Sequence, residues 1–110
     1  MIIGICSVEL FLPGITSLKE KRNIINSIKA SVRNHFNVAI SEIDYLDKWQ
    51  RCILGIVGVS NDGKFMESLL KKILNNIQQK RGVEILDYNL EVNNGVQARK
   101  GEFPHNKNNI

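Results

Sequence analysis

The order in which hydrophobic periodicity changes along this chain constrains its fold more than any single motif. Apolar residues alternate with period two over 2–11, recur at helical spacing over 17–36 and run strand-like again over 37–44 and 51–59. They return to helical spacing from Phe65 to Ile77 and finish with an alternating run to Val92. Read in order, these periods predict β-α-β-β-α-β, the split βαβ arrangement. That reading accounts for nearly all the apolar residues and leaves over no nucleophile, metal cluster or phosphate loop.

The local signals agree with the periods. In the first strand Ile2, Gly4, Cys6, Val8 and Leu10 share one face, the expected core face, and Ile3, Ile5, Ser7 and Glu9 share the other. Leu12-Pro13-Gly14 ends that strand, and Ser17 followed by Glu20 forms a capping box that opens the first helix. Leu18, Ile25, Ile28, Val32 and Phe36 make its apolar stripe, with Arg22, Asn26, Lys29 and Arg33 on a separate basic face. Asn61-Asp62-Gly63 breaks the third strand, and the second helix is expected to stop near Arg81-Gly82. In the last strand Leu86, Tyr88, Leu90 and Val92 are expected to form the buried face.

Charge placement orders the strands. Glu42 and Asp44 fall in the second strand and Glu84, Asp87 and Glu91 in the fourth, whereas the first and third are nearly uncharged. Charged strands belong at sheet edges. The predicted fold is therefore α+β, a ferredoxin-like plait with an antiparallel sheet in the order 4-1-3-2 and both helices on one face, over residues 1–93. Residues 94–110, rich in Asn, Lys and Gly, read as a flexible polar and basic tail. One sheet face is left uncovered. Ile3, Ile5, Ile53, Val57 and Val59 would lie there, an apolar patch whose simplest cover is a second copy, giving a homodimer; Trp49 is assigned to the same interface or to a plug at the end of the core.

Composition limits the function classes. With 110 residues, 43% of them hydrophobic and 24% charged, the chain fits one soluble domain, and its net charge of +4 favours polyanionic partners. Gly4, Ser7 and Glu9 interrupt the first apolar run well before membrane-spanning length, so neither a secretory leader nor a membrane segment is expected and the protein reads as cytoplasmic. Cys6 and Cys52 lie in apolar strand runs and are expected to be reduced and structural, with no metal and no cofactor. His35 suits a helix C-terminus, and His105 lies in the tail.

The chain resembles a known family in Met1-Ile2-Ile3-Gly4, Ser17-Leu18-Lys19-Glu20-Lys21-Arg22, Phe36-Asn37-Val38, Asp47, Trp49-Gln50-Arg51 and Val59-Ser60-Asn61-Asp62. Across residues 1–93 it is similar to the YlxP-like family, the domain of unknown function 503, small bacterial proteins with a ferredoxin-like fold. The resemblance implies that fold and a gene neighbourhood tied to translation and ribosome maturation. It supplies no activity and no catalytic residues, and the long tail departs from the family pattern.

The candidate site is cationic. Lys19, Lys21 and Arg22 open the first helix, where free amides and the helix dipole favour an anion, and Arg22, Lys29 and Arg33 continue as a basic stripe. Of the first three, Lys21 falls nearest the apolar stripe and is the weakest candidate ligand. The third strand lacks the paired aromatics on which an RNA-recognition sheet stacks bases, so RNA is expected to meet the helix. The expected function is a non-enzymatic homodimer associated with ribosomal RNA or a ribosome-assembly intermediate. The alternative is a dimeric regulatory module that binds a small molecule near Trp49. A weaker alternative is an acylphosphatase-like enzyme, which the loop Leu12 to Thr16 does not favour because it carries no Arg to clamp a phosphoryl oxygen.

Overall fold

The computed structural model describes residues 1–96. Its elements are β1 (Ile2–Phe11), α1 (Leu18–His35), β2 (Ala39–Asp44), β3 (Arg51–Ser60), α2 (Gly63–Gln78) and β4 (Glu84–Asn94). The four strands form one antiparallel sheet in the order β2-β3-β1-β4, with β1 and β3 central as the distribution of charge predicts. The fold is the expected α+β ferredoxin-like plait. β2 begins at Ala39, two residues later than its apolar pattern suggests, and β4 runs through Asn94, past the expected boundary at 93. Gly95 N–H then donates to the Met1 carbonyl at 2.7 Å. The rest of the expected tail, 97–110, lies outside the described residues.

Packing follows the alternation of β1 and β3. Cys6, Val8 and Leu10 of β1 and Cys52, Leu54 and Ile56 of β3 are buried under the helices, while Ile5, Val57 and Val59 on the opposite face are exposed. α1 covers this core with Ile25, Ile28 and Val32, and α2 with Met66, Leu70, Ile73, Leu74 and Ile77. Phe65 falls off that stripe and stays 56% exposed. Gly4 sets how closely α2 approaches: a Cβ there would lie 2.3 Å from Met66 Sδ and 3.1 Å from Leu70 Cδ1. The absent side chain lets the helix rest on the strand backbone.

Helix boundaries are chemical. Ser17 Oγ accepts the Glu20 amide at 3.1 Å, and the Glu20 carboxylate accepts from the Thr16 amide at 2.9 Å and the Thr16 hydroxyl at 2.8 Å. The Ser17 half of the predicted capping box is thus formed, while the returning carboxylate bond goes to Thr16, one residue before the cap. These bonds hold the Glu20 carboxyl below its usual range, chiefly through the Thr16 amide. At the other end His35 Nδ1 donates to the Ser31 carbonyl at 2.8 Å. α2 stops at Gln78, earlier than expected, and Gly82, with φ of +75°, makes the turn that leads into β4.

Both edge strands depart from strict alternation. On β4, Asp87 pairs with Glu9 and Ile85 with Leu10, so Leu86 is an extra residue without a partner. The bulge reverses the expected faces at that point: Ile85 packs against the core and Leu86 is 49% exposed. β2 carries a similar irregularity. Glu42 pairs with Leu54 and Asp44 with Ile53, which leaves Ile43 over as an exposed residue whose Cγ2 would lie 3.1 Å from a Cβ at Gly55. Because Glu42 pairs with the core residue Leu54, its side chain lies on the helix side of the sheet.

Candidate functional site

The basic stripe of α1 is built by helical spacing. Lys19, Arg22, Lys29 and Arg33 fall three, seven and four residues apart and share one flank, with Lys19, Arg22 and Arg33 exposed and Lys29 half-buried. That flank faces the β2 edge, since Arg33 Nη2 donates to the Ile40 carbonyl at 3.1 Å.

Lys21 does not belong to it. The residue is 1% exposed, its Nζ 2.8 Å from Glu42 Oε2 and donating to the Tyr45 carbonyl at 2.6 Å. Its expected role as an anion ligand is corrected to a structural one, for a reason visible in the helix period. Lys21 stands three residues after Leu18 and four before Ile25, inside the apolar stripe, so its ammonium must find partners beneath α1. Glu42 and Tyr45 provide them. Tyr45 has φ of 62°, a left-handed conformation uncommon for a residue with a side chain, and its amide donates to Asp44 Oδ1 at 2.7 Å. The Arg51 guanidinium lies 5.3 Å from the centre of the Tyr45 ring and pairs with Glu9 on the neighbouring strand. Through these contacts α1 is bonded to the β2–β3 connection.

At the N-terminus of α1 the Glu20 amide is taken by Ser17 Oγ, and the Glu20 carboxylate, which holds the Thr16 amide and hydroxyl just before the helix, places negative charge beside any incoming phosphate. The loop Leu12 to Thr16 is tied down by bonds from Leu12 N–H to the Gln50 carbonyl at 2.9 Å and from Gln50 Nε2 to the Ile15 carbonyl at 3.2 Å. Trp49 beside it is 51% exposed and does not plug the core. It lines an open hollow of about 510 Å³ with Asp47, Lys48, Gln50 and Arg51.

The tertiary structure assembles a larger cationic surface than the α1 stripe. Residues 18–35 and 63–81, the two helices and the turn after α2, carry ten Lys and Arg against two Asp and Glu. Residues 1–17, 36–62 and 82–96, the strands and their connections, carry two against eight. With Lys21 neutralised by Glu42, the helix layer remains strongly positive and the sheet layer is negative. Lys64, Lys71 and Lys72 of α2 line a shallow hollow of about 560 Å³ with Glu67, Ser68 and Asn75. Lys80 and Arg81 close a smaller groove of about 210 Å³ against Asn23, Ile24, Ser27 and Ile28 of α1. The reading from sequence missed these five cations because it treated α2 as a core helix; the polar spacing of Lys64, Ser68, Lys71 and Asn75 carried the signal.

The thiols are chemically quiet. Burial pushes Cys6 up to about 11, and burial with the nearby Glu42 carboxylate pushes Cys52 up to about 12, so neither is a thiolate at neutral pH. Among the described residues no three His, Cys, Asp or Glu side chains group as metal ligands, and no helix is long and apolar enough to cross a membrane.

A four-stranded antiparallel sheet with a cationic helix layer on one face and, among the described residues, nothing packed on the other makes this a small α+β protein of the ferredoxin-like class. Within it, this chain belongs to the DUF503 family, described as a protein of unknown function, whose model matches residues 3–90. It is 43% identical over 72 residues to the uncharacterized protein YlxP of Bacillus subtilis (strain 168), covering 66% of this chain and 78% of that protein.

Proposed function

We propose that the protein is a non-enzymatic, cytoplasmic RNA-associated factor that meets ribosomal RNA or a ribosome-assembly intermediate through its helix layer. One observation carries this reading: the separation of basic residues onto α1, α2 and the following turn from acidic residues on the sheet. A polyanion gains from such a surface by releasing its counterions, while the acidic sheet layer repels it and fixes which side docks. Lys19, Arg22, Lys29 and Arg33 form one row of the footprint toward the β2 edge, and Lys64, Lys71 and Lys72 add a second on α2. Base stacking is not invoked, because the central strands offer aliphatic residues where aromatic platforms would be needed.

Titration of a labelled single-stranded ribosomal-RNA fragment across a salt series tests the proposal. If about three phosphates are neutralised by the α1 row, that row contributes roughly −2 to the slope of log affinity against log salt, from about −0.7 per contact. Replacing Lys19, Arg22, Lys29 and Arg33 together by Gln flattens the slope with helical content retained. Unchanged affinity in that folded variant removes α1 from the interface. Failure of the wild type to recover RNA from its native cell, with a nuclease-treated control, removes the function. The hollow beside Trp49 favours a second reading, a small-molecule sensor, for which ligand-dependent quenching of Trp49 fluorescence is the measurement.

A further inference from the structure

The outer sheet face combines apolar and charged residues in an order that suits a copy of itself. At one end Ile3 pairs with Val59 and Ile5 with Val57 across β1 and β3; Ile5, Val57 and Val59 are 40%, 44% and 60% exposed. At the middle Ser7 faces Gly55, and at the far end Glu9 on β1 forms an ion pair with Arg51 on β3. The same two strands therefore carry matched apolar residues at one end and, at the other, a diagonal ion pair flanked by Ile53 and Phe11.

We infer that this face is the interface of a homodimer whose two-fold axis runs parallel to the strands between β1 and β3. Rotation about that axis lays each β1 over the partner's β3. Ile5 then meets the partner's Val57, Ile3 meets the partner's Val59, and Glu9, held by Arg51 of its own chain, lies over the partner's Ile53. An isologous interface needs this self-complementarity. The rotation also lays the exposed Ile43 knob of β2 over the β4 side of the partner, where a hollow of about 400 Å³ opens between Ile5, Ser7, Asn89 and Glu91. Asp87 and Glu91 of β4 share this face and lie along its edge, with Glu91 at the wall of that hollow.

The area is sufficient. Ten-residue central strands at about 3.3 Å per residue and four strands about 4.8 Å apart give a planar footprint of roughly 550 Å² once the shorter β2 is allowed for. Two copies bury roughly 1,100 Å² before side-chain relief is added, above the roughly 1,000 Å² a specific contact requires. The helix layers then point outward on opposite sides, so the inference stands apart from RNA binding while giving any polyanion two equivalent docking faces.

Sedimentation equilibrium on nuclease-treated protein in about 0.5 M salt separates this contact from RNA bridging. The wild type is expected at twice the chain mass of 12.5 kDa. Val57→Asp places an unpaired charge at the centre and raises the dimer dissociation constant about 30-fold or more. Val59→Lys, at a more exposed position that the fold does not need, does the same if Val57→Asp fails to fold. A wild-type monomer at about 100 µM, whether residues 97–110 or another protein then cover the face, overturns the inference. So does a folded Val59→Lys variant that dimerises as tightly as wild type.

Discussion

Lys21→Met is the most informative single change in this fold. The substitution keeps an unbranched apolar stem beneath α1 and deletes the ammonium that reaches Glu42 Oε2 at 2.8 Å and the Tyr45 carbonyl at 2.6 Å. The Lys21 side chain is 2% exposed and that of Glu42 is 19% exposed. Removing one partner of a buried pair costs about 3–5 kcal/mol, because the other charge keeps its desolvation penalty. Partial access of water to Glu42 moves the expectation to the lower end, about 3 kcal/mol. Lys21→Met combined with Glu42→Leu removes both charges and should recover most of that loss, to within about 1 kcal/mol of wild type. Urea denaturation followed by far-ultraviolet circular dichroism measures both, with the dependence on denaturant unchanged if the unfolded state is unaffected. The reasoning fails if Lys21→Met costs less than about 1 kcal/mol, or if the double variant is no more stable than the single one. RNA affinity of Lys21→Met should match wild type, since the buried ammonium contributes no surface charge.

Three further outcomes are expected. Gly4→Ala should destabilise by about 1–3 kcal/mol, because the new methyl falls within 2.3 Å of Met66 Sδ, and Met66→Ala should relieve part of that loss in the double variant. Stability should fall as pH rises from about 9 towards 11 under reducing conditions. The folded thiols hold their protons up to about 11 and 12 while those of the unfolded chain ionise near 9.0. By linkage each thiol then removes about 1.4 kcal/mol at pH 10, and Cys6→Ala with Cys52→Ala should abolish this alkaline loss. Replacement of Lys64, Lys71 and Lys72 by Gln should flatten the salt dependence of RNA affinity by about two units if all three meet phosphates; an unchanged slope would confine the footprint to α1.

Several features were determined by the sequence itself because they rest on local rules. The switch between periods two and 3.6 gave the element order, Ser17 with Glu20 gave the start of α1, and charge on the second and fourth strands gave the sheet order. The even residues of β1 had to share a face. Two bulges escaped that logic, since whether Leu86 or Ile85 turns inward depends on pairing with β1, and a single inserted residue reverses every face beyond it. Lys21 shows the same division. Its place on the apolar stripe of α1 could be counted along the helix, but only the tertiary structure could bring Glu42 and the Tyr45 carbonyl under it, from a strand and a turn more than twenty residues away. The cationic layer likewise exists only in the tertiary structure, which sets α1, with its basic row toward the β2 edge, and α2 on the same face of the sheet. Local periodicity fixes which way a side chain points; long-range packing decides what it meets.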